Sequence, residues 1–143
     1  MKVHKFYSKV NKTKLLHLVC QLDPAEETTF RQEIIDEKEF LQCSVIGLEP
    51  KVSFRPHKHI YKKRTYEQQI AQESWVVIRG SVKFIFYDLD DTILDTFILR
   101  PGDASYTLHG GHNYEILEKN TLVYEYKTGP YEGQKLDKTF IGE

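Results

Sequence analysis

From Phe40 to Lys127 the apolar residues come in eight short runs (40–48, 52–59, 73–79, 81–87, 93–99, 104–108, 112–118 and 121–127). Turn formers separate them: Pro50, Gly80, Asp88 to Asp91, Pro101-Gly102, Gly110-Gly111, Lys119-Asn120 and Gly129-Pro130. No helical run lies between them. Short strands at regular spacing, without helical connections, read as an antiparallel sandwich or barrel. Nine Tyr and eight Phe strengthen that reading, because aromatic side chains favour the pleated, half-buried surface of a sheet. At 143 residues the chain is long enough for one core without staples. Twenty basic and 21 acidic side chains give a net charge of −1, which argues against a global basic field of the kind that binds nucleic acid or a membrane surface. The composition excludes disorder, collagen and coiled coil.

Residues 1–39 are expected to form a short N-terminal extension packing on the barrel, and 40–143 the barrel with a C-terminal tail. The extension is divided by charge: five lysines and no acid in 1–22, then seven acids in 23–39. These read as two solvated faces, or as a basic arm for an anionic partner. Asp23-Pro24-Ala25-Glu26 has the residues of a helix start: Asp at the N-cap, Pro at N1 and Glu at N3. The polar tail 129–143 is expected to wrap the surface. Leu15-Leu16-His17-Leu18-Val19 is too short and interrupted for a signal peptide, and no segment approaches 18 apolar residues. Cys20 and Cys43 do not make a disulfide framework. The expectation is a cytoplasmic protein with reduced thiols.

The chemistry concentrates in a few residues. In His57-Lys58-His59 the imidazoles are two apart, so on a strand both would point to one side and Lys58 to the other. Glu73 opens the next apolar run, which ends at Gly80, and His112 follows Gly110-Gly111. Three imidazoles and one carboxylate, with open coordination positions, suit Fe, Mn, Ni, Co, Cu or Zn. Glu67 is an alternative carboxylate; Glu73 is preferred for its place at a strand start.

Around these, Arg55 shares the parity of His57 and His59. It would clamp a carboxylate or phosphate, unless Pro56 turns it to solvent. Trp75 shares parity with Glu73, and Tyr114 with His112; Tyr124 and Tyr126 form another same-face pair. Such aromatics either pack a core or wall a cavity whose hydroxyls touch a polar substrate. Trp75, Tyr114, Tyr124 and Arg55 are the candidate substrate contacts. His109, on a glycine-rich turn, and Tyr126 are the candidate catalytic groups. The polar, basic loop 60–72 reads as a lid or as a solvated loop.

These residues resemble the cupin superfamily of small jelly-roll barrels. The first cupin motif reads Gly, five residues, His-x-His, a short gap, Glu, six residues, Gly; His57-x-His59 and Glu73 with Gly80 match it. In the second motif Gly102 and His112 fit after a one-residue deletion. Lys51 stands where the first motif opens on Gly, thirteen residues separate His59 from Glu73, and Ile116 replaces the closing Asn of the second motif. The resemblance covers about residues 40–127. It implies an all-β, single-domain cupin barrel with His57, His59, Glu73 and His112 holding a divalent transition metal. It also implies a homodimer and a small-molecule ligand, with no nucleic-acid or membrane partner. The activity it suggests is a sugar or sugar-nucleotide isomerase or epimerase of surface-polysaccharide metabolism. A dioxygenase and a non-catalytic ligand-binding module are the alternatives.

One string points elsewhere. Phe84 to Thr92 contains Asp88-x-Asp90-x-Thr92, which resembles the first motif of haloacid-dehalogenase-type phosphatases. That family needs helices after this strand, whereas the 51 residues after Thr92 read as strands. Asp88 to Asp91 therefore reads as a hairpin turn.

Overall fold

The computed structural model describes residues 1–23, 30–36, 38–48, 50–59, 70–129 and 133–142. The chain is mostly β. Its strands are β1 (Lys2–Tyr7), β2 (Leu15–Gln21), β3 (Phe30–Glu33), β4 (Ser44–Gly47), β5 (Glu73–Arg79), β6 (Val82–Tyr87), β7 (Ile93–Leu99), β8 (Ala104–Thr107), β9 (Gly111–Ile116) and β10 (Leu122–Lys127), followed by one helical turn, α1 (Gln134–Asp137). They form a five-stranded sheet of order β1-β2-β8-β5-β10, a three-stranded sheet β7-β6-β9 and a β3-β4 pair. All pairings are antiparallel.

The five-stranded sheet is covered on both faces. On one side Val19, Val77, Val82, Phe84, Phe86 and Leu99 pack between it and the three-stranded sheet. On the other, Leu18, Cys20, Ala104 and Tyr106 pack against Ile34, Ile35, Leu41, Cys43 and Val45. Two covered faces explain β2: every residue from Leu16 to Cys20 is buried, so apolar residues need not alternate with polar ones. The N-terminal segment thus supplies β1 and β2 to the main sheet. Both cysteines are free thiols. Burial pushes the Cys20 thiol up to about 11, with the neighbouring Cys43 adding to the shift, so Cys20 stays protonated and unreactive.

From residue 73 onward the strands lie where the apolar runs place them, within two residues. Gly80 makes the β5–β6 turn at φ 80°, where a Cβ would collide with Thr121. Two runs differ. Of 40–48 only Ser44–Gly47 is strand, paired with β3. Residues 52–59 are irregular and exposed throughout. Pro56 offers no N–H, and no described strand forms a ladder with this segment. The expected helix start at Pro24 to Glu26, the loop residues 60–69 and Glu67 lie outside the described residues. No helix among those described is long and apolar enough to cross a membrane.

Asp88 closes the hairpin expected from the sequence. Asp91 takes φ 64°, and the Asp90 carboxylate accepts from Thr92 N and Oγ1 at 3.2 and 2.7 Å. Asp88 itself is buried. It accepts from Ser8 Oγ at 2.5 Å, Lys9 N at 2.5 Å and Leu89 N at 2.7 Å, which ties the β1–β2 turn to the end of β6. A buried carboxylate bonded by these donors is a strut between the two turns.

Candidate functional site

Glu73 and His112 come from different sheets and meet at one end of the sandwich. Glu73 opens β5; His112 lies on β9 opposite Phe86. Glu73 Oε1 is 3.3 Å from His112 Nε2, and both side chains are mostly shielded from solvent. Burial alone would push the Glu73 carboxyl up. The hydrogen bond and charge of His112, with the charges of Lys138 and Lys127, more than offset it and hold the group below the usual glutamate value.

The registers bring further groups to this face. β10 lies against β5 with Glu125 opposite Trp75 and Lys127 opposite Glu73. The Trp75 indole N–H points at two carboxylates, Glu73 Oε1 and Glu125 Oε2, each at 3.1 Å. Its ring stacks on Tyr114, with centroids 3.8 Å apart and planes within 4°. Phe84 continues the stack at 5.1 Å. The Tyr114 hydroxyl shares a 3.0 Å hydrogen bond with Ser105. Trp75 and Tyr114 thus wall the Glu73–His112 pair as the sequence parity implies.

The C-terminal tail returns to the same place. Asp137 accepts from Lys127 Nζ at 2.8 Å. The end of the Ile141 side chain occupies the space a Cβ on residue 111 would need, which places the tail against Gly111, next to His112. Below, Glu73, Thr107 and His17 sit side by side on three neighbouring strands. His17 is fully buried; its Nε2 bonds the Tyr87 carbonyl at 3.1 Å and its Nδ1 lies 3.3 Å from Thr107 Oγ1. A carbonyl needs a donor, so Nε2 carries the proton and Nδ1 accepts from the threonine. Burial lowers the His17 imidazole to about 4, so it is neutral near pH 7.

The other expected site residues lie elsewhere. Tyr124 and Tyr126 flank Glu125 on β10 and are 56% and 57% exposed. Glu125 is exposed but lies on the Trp75 face of the sheet, so strand alternation sends both tyrosines to the opposite face. They are not brought to Glu73. His109 follows β8, with Lys14 and Glu39 as its charged neighbours; burial and Lys14 lower its imidazole, and Glu39 opposes them. Arg55, His57 and His59 are exposed in the irregular segment. There His57 Nδ1 donates to the Arg55 carbonyl at 2.9 Å, and the two imidazole rings are 5.4 Å apart. Among the described residues no three His, Cys, Asp or Glu side chains are gathered closely enough to hold a metal ion.

Glu125, Lys127, Asp137, Lys138 and His17 carry no motif. The alternation on β10 leaves two choices of inward face, and only the pairing with β5 selects Glu125 and Lys127. Comparison with family models, with curated proteins and with solved structures finds no match.

Proposed function

We propose that this protein is a metal-binding cupin acting on a small polar or anionic molecule. The observation that carries the reading is the Glu73–His112 pair: two of the four expected ligands, 39 positions apart in the chain, approach to 3.3 Å beside an aromatic wall. Two further features support it. Strands β5 to β10 pass between the two larger sheets in the order a double-sheet jelly roll uses. Lys51, where the motif has Gly, takes φ 72°, the left-handed conformation that glycine adopts most readily.

The donor set fits a divalent transition ion. Glu73 and His112 would supply one carboxylate and one imidazole. His57 and His59 would join them if residues 52–59 docked as a strand along the outer edge of β9, which carries no strand among the described residues. The ion would serve as a Lewis acid, a template or an O₂ site. The chain's own groups do the rest: Trp75 and Tyr114 offer an apolar wall, and at its rim stand Lys127 and Lys138 with the Asp137 carboxylate between them. A sugar or sugar nucleotide under isomerisation or epimerisation is the preferred substrate class, with oxygen-dependent cleavage the other enzymatic form. We also read the protein as a homodimer, for which the outer edge of β10 with its exposed Leu122, Tyr124 and Tyr126 is one open sheet edge.

A second reading, a non-catalytic module that binds a small ligand in the same place, is favoured by the positions of Tyr126 and His109. Neither candidate catalytic group belongs to the Glu73–His112 cluster. Elemental analysis of protein purified without chelators tests the metal: the expectation is a stoichiometric transition ion, lost in His57→Ala. Protein that carries no such ion, and takes up added ion equally well with and without His57, would overturn the reading. Turnover lost in His57→Ala marks an enzyme; ligand-dependent thermal stabilisation without turnover marks a binding module.

A further inference from the structure

The indole of Trp75 has one N–H, yet two carboxylate oxygens lie 3.1 Å from its nitrogen. An indole has a single proton to give, so the arrangement is a three-centre hydrogen bond. The acceptors reach it by different routes. Glu73 is two residues earlier on the same strand and face; Glu125 is the cross-strand partner on β10. Stacking on Tyr114 fixes the plane in which the N–H points. Glu73 also faces His112 through the same oxygen, so Oε1 serves both the indole that orients it and the imidazole across the sandwich.

With Glu73 as the sole acceptor, turning it toward a bound ion or substrate would release the indole N–H. The energy of that hydrogen bond would then count against binding. The second acceptor removes this conflict. We propose that Trp75 is a positioning residue whose indole N–H is shared between Glu73 and Glu125, so that Glu125 keeps the indole in place when Glu73 turns to a bound cation. Glu125 thereby becomes part of the site without touching the ion. The turning step rests on the metal reading above; the sharing does not.

The chain has a single tryptophan, so its one indole N–H resonance in a ¹⁵N-labelled sample reports the bond directly. In metal-free protein E73A and E125A should each leave this proton within about threefold of its wild-type exchange rate, while E73A/E125A should raise the rate at least about tenfold. A single variant exchanging as fast as the double would overturn the sharing, as would a double variant exchanging like wild type. Because E73A alters a buried position, a second measurement uses E125A alone. Zn(II) affinity by calorimetry should fall about three- to tenfold on E125A in the wild-type background, and less than about twofold in W75F, which keeps a stacking ring but has no N–H. An equal loss in both backgrounds would mean that Glu125 acts through its charge, and would overturn the proposal. Wild-type protein that binds no Zn(II) would overturn the metal reading and the turning step together, leaving the shared bond to the exchange data.

Discussion

Asp88 and Glu73 are both carboxylates with little exposure, and both lie at the end of the sandwich where His17 bonds the Tyr87 carbonyl. Asp88 is held by Ser8 and by backbone N–H groups of the adjoining turns. Glu73 is held by side chains: a histidine, a tryptophan and nearby lysines. Backbone donors cannot leave without unfolding a turn, so Asp88 is committed to structure. Side-chain donors rotate and exchange partners, so Glu73 can change partners without unfolding a turn. The string resembling a catalytic motif, Asp88-x-Asp90-x-Thr92, is the one whose carboxylates are bonded within the turns. Burial did not separate the two carboxylates; the nature of their partners did.

The sharpest way to break this contrast is to remove each carboxylate and compare stability. Asp88→Ala leaves several turn donors unpaired and is expected to cost roughly 3–4 kcal/mol in a denaturant melt. A loss below about 1 kcal/mol would mean that the Ser8–Lys9 turn does not depend on it. Next in size is a pH effect centred on His17. Its folded value, about 4, lies below the unfolded value of 6.5. The unfolded chain therefore takes up the proton first as pH falls. Stability is full above pH 6.5 and is expected to fall by roughly 3 kcal/mol between there and about pH 4, as the unfolded state gains its proton. His109, lowered in the same sense, adds a smaller part. His17→Gln should flatten most of this slope in melts followed across pH, and an unchanged slope would assign it elsewhere.

Glu73→Ala is expected to cost only about 1 kcal/mol, because the Trp75 N–H keeps Glu125 and the other partners are partly solvated. Its large effect should appear in metal uptake. A stability loss matching that of Asp88→Ala would erase the distinction between the two carboxylates. The smallest expected effect is at Lys51. Relieving φ 72° with Lys51→Gly should stabilise the protein by roughly 0.5 kcal/mol, the left-handed penalty less the entropy glycine loses on folding.

Most of the fold after residue 73 is legible in the sequence, because runs such as Phe84-Ile85-Phe86 and the turn at Gly80 carry local signals of period and backbone freedom. β2 was hidden for a physical reason. A strand buried on both faces has no alternation, so Leu16 to Cys20 does not announce itself as a strand of the main sheet. The 52–59 run shows the opposite failure. Its composition suits a strand, but a strand also needs a ladder partner, and it pairs with none among the described residues. At the site, Glu73, His112, Trp75 and Tyr114 were reachable from strand parity and cluster as that parity implies. Tyr124 and Tyr126 were read from the same kind of parity and face the other way, since alternation fixes which residues share a face but not which face turns inward.

The sequence by itself determined a single chain built mostly of β-strands, the turn positions after residue 73 and the pairing of residues into faces, because periodicity and turn chemistry are local properties. Tertiary structure alone decided that β5 lies between β8 and β10, that Glu125 rather than Tyr124 faces Trp75, that Asp88 is held by Ser8 and backbone donors and that the tail reaches Gly111. Each of these depends on residues far apart in the chain meeting in one register, and no local pattern encodes that meeting.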